Sequence, residues 1–438
     1  MGGFHLKDCE LGVATAATQI EGGHARTNWH RWAEQGHIDD GSSPVRATDH
    51  WNRVAQDIEL LGELGVRHYR MGLEWARIEP EPGVFDPAAL QHYRDELEQL
   101  AAAGITPLVT LHHFNNPLWF EDDGGFLSAS AIDTFLRYTE RVVNELGDLV
   151  EEWITINEPN IYGTHGYLFG EWPPGIKDLK TTIRVFQVMA EVHIRAYELI
   201  HRLRPGARVG VAQHLRIFAP KLRFHPRHVF SAKLLTWLFQ TCSQWAMNSG
   251  RFRYPLVQPR GIRPGRYYDF LGINYYSRST VTSLQDSVDE HIEVNDLGWE
   301  IYPEGLIRIA RELHDRHPDV PIYVTENGTA DATDAFRSRF IYDQLKLISE
   351  SGLPIQRYYH WTFIDNWEWA VGEAARFGLV HCDFGTQERT MKDSGRFFAG
   401  IAADGGVTEE AYERYVRGQV YARERSIFPT APGEGLWG

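Results

Sequence analysis

Two short apolar runs in this sequence each close on a glutamate. They are Trp153-Ile154-Thr155-Ile156-Asn157-Glu158-Pro159 and Ile322-Tyr323-Val324-Thr325-Glu326-Asn327-Gly328. Runs of this kind, broken by proline or glycine, read as strands buried on both faces and stopped by a turn. A carboxylate at the end of such a strand is costly to bury unless something uses it. A single one is as readily part of a structural ion-pair network as of a reacting site. Two with the same placement, each beside an asparagine and 326 − 158 = 168 residues apart, point to a pair that acts together. Cleavage of a glycosidic bond uses such a pair: one carboxyl group protonates the leaving oxygen, and the other attacks the anomeric carbon or activates water. A separation of about 5–5.5 Å goes with retention and about 6.5–9.5 Å with inversion.

Other chemistries lack their parts. No GxGxxG follows the first strand, and no Gly-rich phosphate loop or GxSxG elbow is present. His112-His113 lacks the third ligand and the spacing of a zinc site, so hydrogen bonding is the expected use of that pair. No metal and no cofactor is expected.

The elements that must position the two acids alternate along the chain. Strands are expected at 11–17, 68–73, 107–112, 153–157, 208–213, 270–275, 322–326 and 356–360. Helices are expected at 49–64, 87–103, 130–146, 181–204, 303–314, 334–350 and 393–402, with Ser130 as an N-cap. An irregular insertion spans 215–265 around a helix near 230–247. Eight strand–helix alternations without a composition break argue for a single (β/α)8 barrel over residues 1–403. Residues 404–438 read as an extension, a helix capped by Thr408 and then coil after Ser426. Chemistry in such barrels sits at the carboxyl ends of the strands. There the sequence places Gln19 and Glu21, Arg70, His112 and His113, Asn157 and Glu158, Asn274 and Tyr276, Glu326, and Trp361.

Composition narrows the partners. The 438 residues carry 44 Lys and Arg against 59 Asp and Glu, a net charge of −15, which disfavours nucleic acid and anionic membranes. The basic stretch from Lys221 to His228 reads as a solvated loop. Cys9, Cys242 and Cys382 form no CxxC pair and read as buried apolar side chains. No apolar stretch reaches the length of a membrane span, and the expected location is cytoplasmic, with a homo-oligomer left open. Fourteen tryptophans offer flat rings of the kind that suit sugar faces, although most tryptophans in any protein are core.

Several motifs, in order, resemble glycoside hydrolase family 1, the β-glucosidase family, over residues 4 to about 403. They are Ala14 to Gly22, Tyr69-Arg70, Leu111 to Phe114, Thr155 to Pro159, Asp269 to Tyr276, Val324 to Gly328, Trp361 with Asp365 to Ala370, Arg376 to Gly378, and Lys392 to Ser394. The resemblance implies retaining exo-hydrolysis of terminal β-D-glucosyl groups, with tolerance for β-galactosyl and β-fucosyl groups. Glu158 would be the acid/base and Glu326 the nucleophile, with Arg70 and Tyr276 keeping Glu326 ionised. Asn157 would hold the 2-hydroxyl, with Asn274 nearby. Gln19, His113, Glu368 and Trp369 would grip the other hydroxyls, Trp361 would floor the sugar, and Phe377 would sit near its 6-position. Trp172 and Trp299 would face the aglycone. The sequence departs from the family at Thr18, at Phe114 and at Asn115-Asn116, positions that bear on the 3-hydroxyl contact. Glu368 disfavours a 6-phosphate, and a glutamate at 158 disfavours the thioglucosidase branch. A transglycosylase using the same intermediate and a non-catalytic sugar-binding relative are the alternatives.

Overall fold

The computed structural model describes residues 2–284, 286–289 and 291–422. Eight parallel strands close a barrel in chain order: Glu10–Ala14, His68–Gly72, Thr106–His112, Glu152–Asn157, Arg208–His214, Leu271–Asn274, Ile322–Asn327 and Ile355–Trp361. The eighth pairs with the first, His360 opposite Val13, which removes every free edge. Val109, Ile154, Val209, Ile273 and Val324 are buried, as strands covered on both faces require.

The expected helices form with shifts of a few residues at their ends. His50–Glu63, Pro87–Ala102, Ala131–Leu146, Leu179–Leu203, Glu304–Arg316, Arg337–Ser351 and Asp393–Asp404 wrap the barrel. Their starts are chemical: Asp86 accepts from the Ala88 amide (2.8 Å), and Asp178 from that of Thr181 (2.7 Å). Ser130 does not cap its helix. Its hydroxyl turns to Asp123 (3.1 Å) and Ser128 (2.9 Å). The first strand is also shorter than expected, because Ala17–Ile20 turns into a helix that carries Gln19 into the barrel mouth.

At the amino end of the barrel the polar contacts are structural. Glu152 bonds Arg208 (2.8 Å) and the Tyr323 hydroxyl (2.9 Å), and Glu10 accepts from His68 (2.9 Å). The three cysteines are buried and unpaired.

Residues 215–265 are more ordered than expected. Ile217–Pro220 joins Arg278–Val281 and Asp286–Ser287 in a small sheet, and helices Pro226–Leu235 and Cys242–Ser249 are linked by a π-helical turn. The basic stretch is therefore loop only as far as His225. At the other end, Gly406–Val407 pairs with Phe4–His5, and Thr408 caps helix Glu409–Tyr415 through the Ala411 amide (3.1 Å). The coil expected after Ser426 lies outside the described residues.

Candidate active site

Glu158 follows the fourth strand with φ 41° and ψ 61°, the left-handed region that costs a residue with a Cβ. Pro159 disfavours the right-handed alternative. The backbone is locked on both sides: the Glu158 amide donates to Ala212 O (2.8 Å), and its carbonyl accepts from Tyr162 N (3.0 Å). Glu326 ends the seventh strand. The turn after it admits only glycine, since a Cβ on Gly328 would lie 1.8 Å from the Trp361 carbonyl oxygen.

One hydrogen-bonded chain joins the two carboxyl groups. Arg70 donates through Nη1 to Glu326 and to the Thr325 carbonyl (3.0 Å), and through Nη2 to Asn157 Oδ1 (2.6 Å). The Tyr276 hydroxyl donates to the other oxygen of Glu326 (2.6 Å). Asn274 uses both amide hydrogens, one to Asn157 Oδ1 (3.0 Å) and one to Glu158 Oε1 (2.7 Å). Its own oxygen accepts from Thr325 Oγ1 (2.6 Å), which fixes the amide orientation. His214 Nδ1 lies 3.2 Å from the same Glu158 oxygen.

These contacts assign protons by elimination. Asn157 Oδ1 already accepts from Arg70 and Asn274, so Asn157 Nδ2 donates to His113 Nε2 (3.0 Å). Burial, helped by the Arg70 charge, holds the His113 imidazole neutral and far below its ordinary value. Its hydrogen therefore sits on Nδ1, which is buried without a partner among the described residues. Gln19 Nε2 donates to Trp367 O (3.0 Å) and Glu368 Oε2 (2.9 Å), leaving Oε1 buried and unpartnered. Buried polar atoms without partners are rare in proteins. Here an acceptor and a donor of this kind stand on the first and third barrel strands' end loops.

Electrostatics follow from three neighbouring carboxyl groups, of which Glu326 pairs with the Arg70 guanidinium. Burial pushes Glu326 up to about 7, and the Glu158 charge adds to it, while Arg70 and the Tyr276 hydroxyl pull the other way. Arg70 and Tyr276 act in the expected direction, favouring ionised Glu326, and desolvation opposes them. Burial likewise lifts Glu368 to about 8, against its hydrogen bond from Gln19. Glu368 therefore keeps its proton to higher pH than an ordinary glutamate.

Aromatic rings wall the site. The His113 ring lies 5.7 Å from Trp361 and 5.8 Å from Trp369. Tyr276 meets Phe377 (6.3 Å) and Trp299 (5.7 Å) edge-on. Trp172 packs on Phe114 (5.0 Å) and Trp369 (6.0 Å).

The family model for glycosyl hydrolase family 1 matches residues 5–263 and 265–407. The chain belongs to glycosyl hydrolase family 1. Beta-glucosidase A of Acetivibrio thermocellus is 32% identical over 444 residues, covering 91% of this chain and 98% of that protein. A chloroplastic galactolipid galactosyltransferase of Arabidopsis thaliana is 31% identical over 388 residues, covering 82% of this chain and 58% of that one. Among solved structures, a beta-glycosidase from Pyrococcus horikoshii matches with a TM-score of 0.86 at 33% identity, over 95% of this chain and 99% of that one. The protein is a glycosyl hydrolase on a (β/α)8 barrel.

Within this family 1 barrel, two strand-end residues named from the sequence turn away from the ring. Glu21 binds Arg77 (2.7 Å) and Tyr93 (2.6 Å), and His112 binds Asn116 (3.0 Å). Two others went unnoticed. His214 is the last residue of the fifth strand, and the strand-end rule would have found it had the strand not been ended at Gln213. Glu74 accepts from Thr18 (2.7 Å) on one oxygen and from Asn115 (2.6 Å) on the other. It thereby ties the Gln19 loop to the His113 loop. The departures at Thr18 and Asn115 thus belong to one network, and burial with the nearby Glu21 charge lifts Glu74 to about 7.

Proposed function

We propose that this family 1 enzyme is a retaining exo-β-glycosidase acting on terminal β-D-glucosyl groups, with β-galactosyl and β-fucosyl groups also accepted. The observation that carries this reading is the unequal treatment of two linked carboxyl groups. Glu326 is held by a cation and a phenol, and Glu158 by an amide and an imidazole on a single oxygen.

Ionised Glu326 attacks the anomeric carbon as the glycosidic C–O bond breaks. The leaving oxygen takes a proton from Glu158. Asn274 and His214 occupy Oε1, so the proton is carried on Oε2. The glycosyl ester that forms removes the charge on Glu326. Glu158, now ionised, takes a proton from water as that water attacks the anomeric carbon and Glu326 departs. Asn157, fixed by Arg70 and Asn274, meets the 2-hydroxyl, where bonds strengthen at the transition state. His113 Nδ1–H, Gln19 Oε1 and protonated Glu368 meet the outer hydroxyls, with Trp369 beside them and Trp361 beneath the ring. Phe377 borders the 6-position, and Trp172 and Trp299 border the aglycone. The catalytic unit is the barrel, residues 1–403, with 404–422 packed on it.

Initial rates on nitrophenyl β-glucoside, β-galactoside, β-fucoside and the matching α-glucoside test this directly. The β-glucoside is expected to turn over and the α-glucoside not; turnover of the α-glucoside alone would overturn it. The similarity to a galactosyltransferase favours a second reading, in which an acceptor sugar intercepts the same ester. The ratio of transfer product to released sugar at high substrate separates the two.

Among the described residues no helix is long and apolar enough to cross a membrane.

A further inference from the structure

The insertion after the fifth strand has a charge opposite to the rest of the chain. Between Glu198 and Asp269 the sequence contains no carboxylate side chain, while residues 215–266 carry ten Lys and Arg against a chain total of −15. Nine of the ten are exposed, all but Arg216, and none of those nine has a carboxylate partner among the described residues. Five of the ten large hydrophobic side chains exposed on the described surface lie here too: Leu222, Phe224, Phe230, Tyr254 and Val257. Phe224 is 87% and Tyr254 88% exposed. Rings left in water at that level are unusual for a globular surface and mark an interaction site when they cluster.

They cluster through backbone and side-chain contacts. The Leu222 amide donates to His228 Nδ1 (3.2 Å), which ties the 221–225 loop to the first turn of helix Pro226–Leu235. Phe230 lies on that helix, and Trp237 stands in the π-helical turn that directly follows it. The Trp237 indole donates to the Tyr254 carbonyl (3.2 Å), so the 251–257 loop adjoins the same ridge. Arg223 sits over the Phe224 ring (5.4 Å), and Arg253 over Trp245 (4.2 Å). An arginine beside the exposed Phe224 ring combines apolar insertion with attraction to anionic headgroups, the pattern of interfacial binding. The segment is rooted at the catalytic end of the barrel, since the Phe239 ring lies 6.0 Å from that of His214, which contacts Glu158.

We propose that residues 221–260 form a docking surface for anionic lipid bilayers, which places the barrel's carboxyl end close to the membrane. The mean charge of the chain disfavours such a surface, but the Debye length of about 8 Å at physiological salt makes the local charge the one a headgroup meets. The bound state is peripheral and needs no spanning helix.

Sedimentation of the full chain with vesicles tests this. Three vesicle sets are needed: phosphatidylcholine alone, phosphatidylcholine with phosphatidylglycerol, and the mixed set in high salt. Binding at least tenfold stronger to the anionic set, lost in high salt, is the expected result. The triple variant Phe224→Ser/Phe230→Ser/Tyr254→Ser is expected to lose that binding and to keep the hydrolysis rate on a soluble nitrophenyl glycoside, which also reports that it is folded. Should the triple variant not fold, Arg223→Gln/Arg253→Gln is expected to reduce anionic binding at least threefold. Equal binding to neutral and anionic vesicles, no binding to either, or undiminished binding by a folded triple variant overturns the proposal. So does size-exclusion chromatography showing a wild-type dimer that the triple variant breaks, since the patch would then be covered by a second copy.

Discussion

The two glutamates occupy like positions on the barrel and unlike surroundings. Glu326 touches a guanidinium and a phenol, contacts that favour a carboxylate. Glu158 touches an amide and a neutral ring, both on one oxygen, which leaves the other free to hold and pass a proton. On the proposed mechanism the same residue type takes two roles because its neighbours differ, and the neighbours come from different strands. Arg70 is on the second, Asn274 on the sixth, and Tyr276 and His214 are at the ends of the sixth and fifth.

Glu326→Ala is expected to lower kcat on nitrophenyl β-glucoside by about 10⁵-fold, since the covalent path is lost. Added azide should restore part of the rate and yield the α-glycosyl azide; recovery of the β-azide would place the nucleophile elsewhere. Glu158→Gln is expected to cost about 10²- to 10⁴-fold on substrates with poor leaving groups. With a good leaving group the first step should survive and the glycosyl-enzyme should accumulate as a burst. Equal losses on both substrates would remove Glu158 from proton transfer.

Tyr276→Phe removes the phenol that donates to Glu326. A hydrogen bond to a charged group contributes about 1.5–3 kcal/mol, so kcat/KM should fall by roughly 10- to 100-fold. Burial already raises Glu326, and loss of a donor to its charged form should raise it further. The acid limb of the kcat/KM profile should therefore move to higher pH in the variant; an unmoved limb would separate Tyr276 from Glu326.

Glu368 yields the smallest effect, read in stability. Its folded value near 8 exceeds the ordinary 4.5, so the folded chain keeps a proton that the unfolded chain releases. The stability this group contributes is full below pH 4.5 and is lost as pH rises through 8. Glu368→Gln should thus gain stability relative to wild type at pH 9 and not at pH 4. The side chain is only partly buried, so the gain should be on the order of 1 kcal/mol after solvent screening. Thermal unfolding at the two pH values checks it.

Much of this arrangement is legible in the chain. Strands covered on both faces leave continuous apolar runs, and a buried carboxylate at the end of one stands out against them. Strand ends place Gln19, Arg70, His113, Asn157, Asn274 and Glu326 at one end of the barrel, but do not separate Gln19 from Glu21 or His113 from His112. What escaped the sequence is of two kinds. Short pairings such as Phe4–His5 with Gly406–Val407 carry no periodicity, because two residues cannot display an alternation. Contacts such as Thr18 and Asn115 on Glu74 join loops that only the closed barrel brings together. Net charge is an average over the whole chain, and the basic insertion at 215–266 runs against it.

In the proposed mechanism Glu326 displaces the aglycone before water displaces Glu326. Proton NMR of the anomeric signals in the first seconds of nitrophenyl β-glucoside hydrolysis reads this directly. Two inversions at one carbon release β-glucose first, with the α-anomer growing only at the rate of mutarotation. Release of α-glucose as the first product would mean a single displacement by water and would contradict the claim.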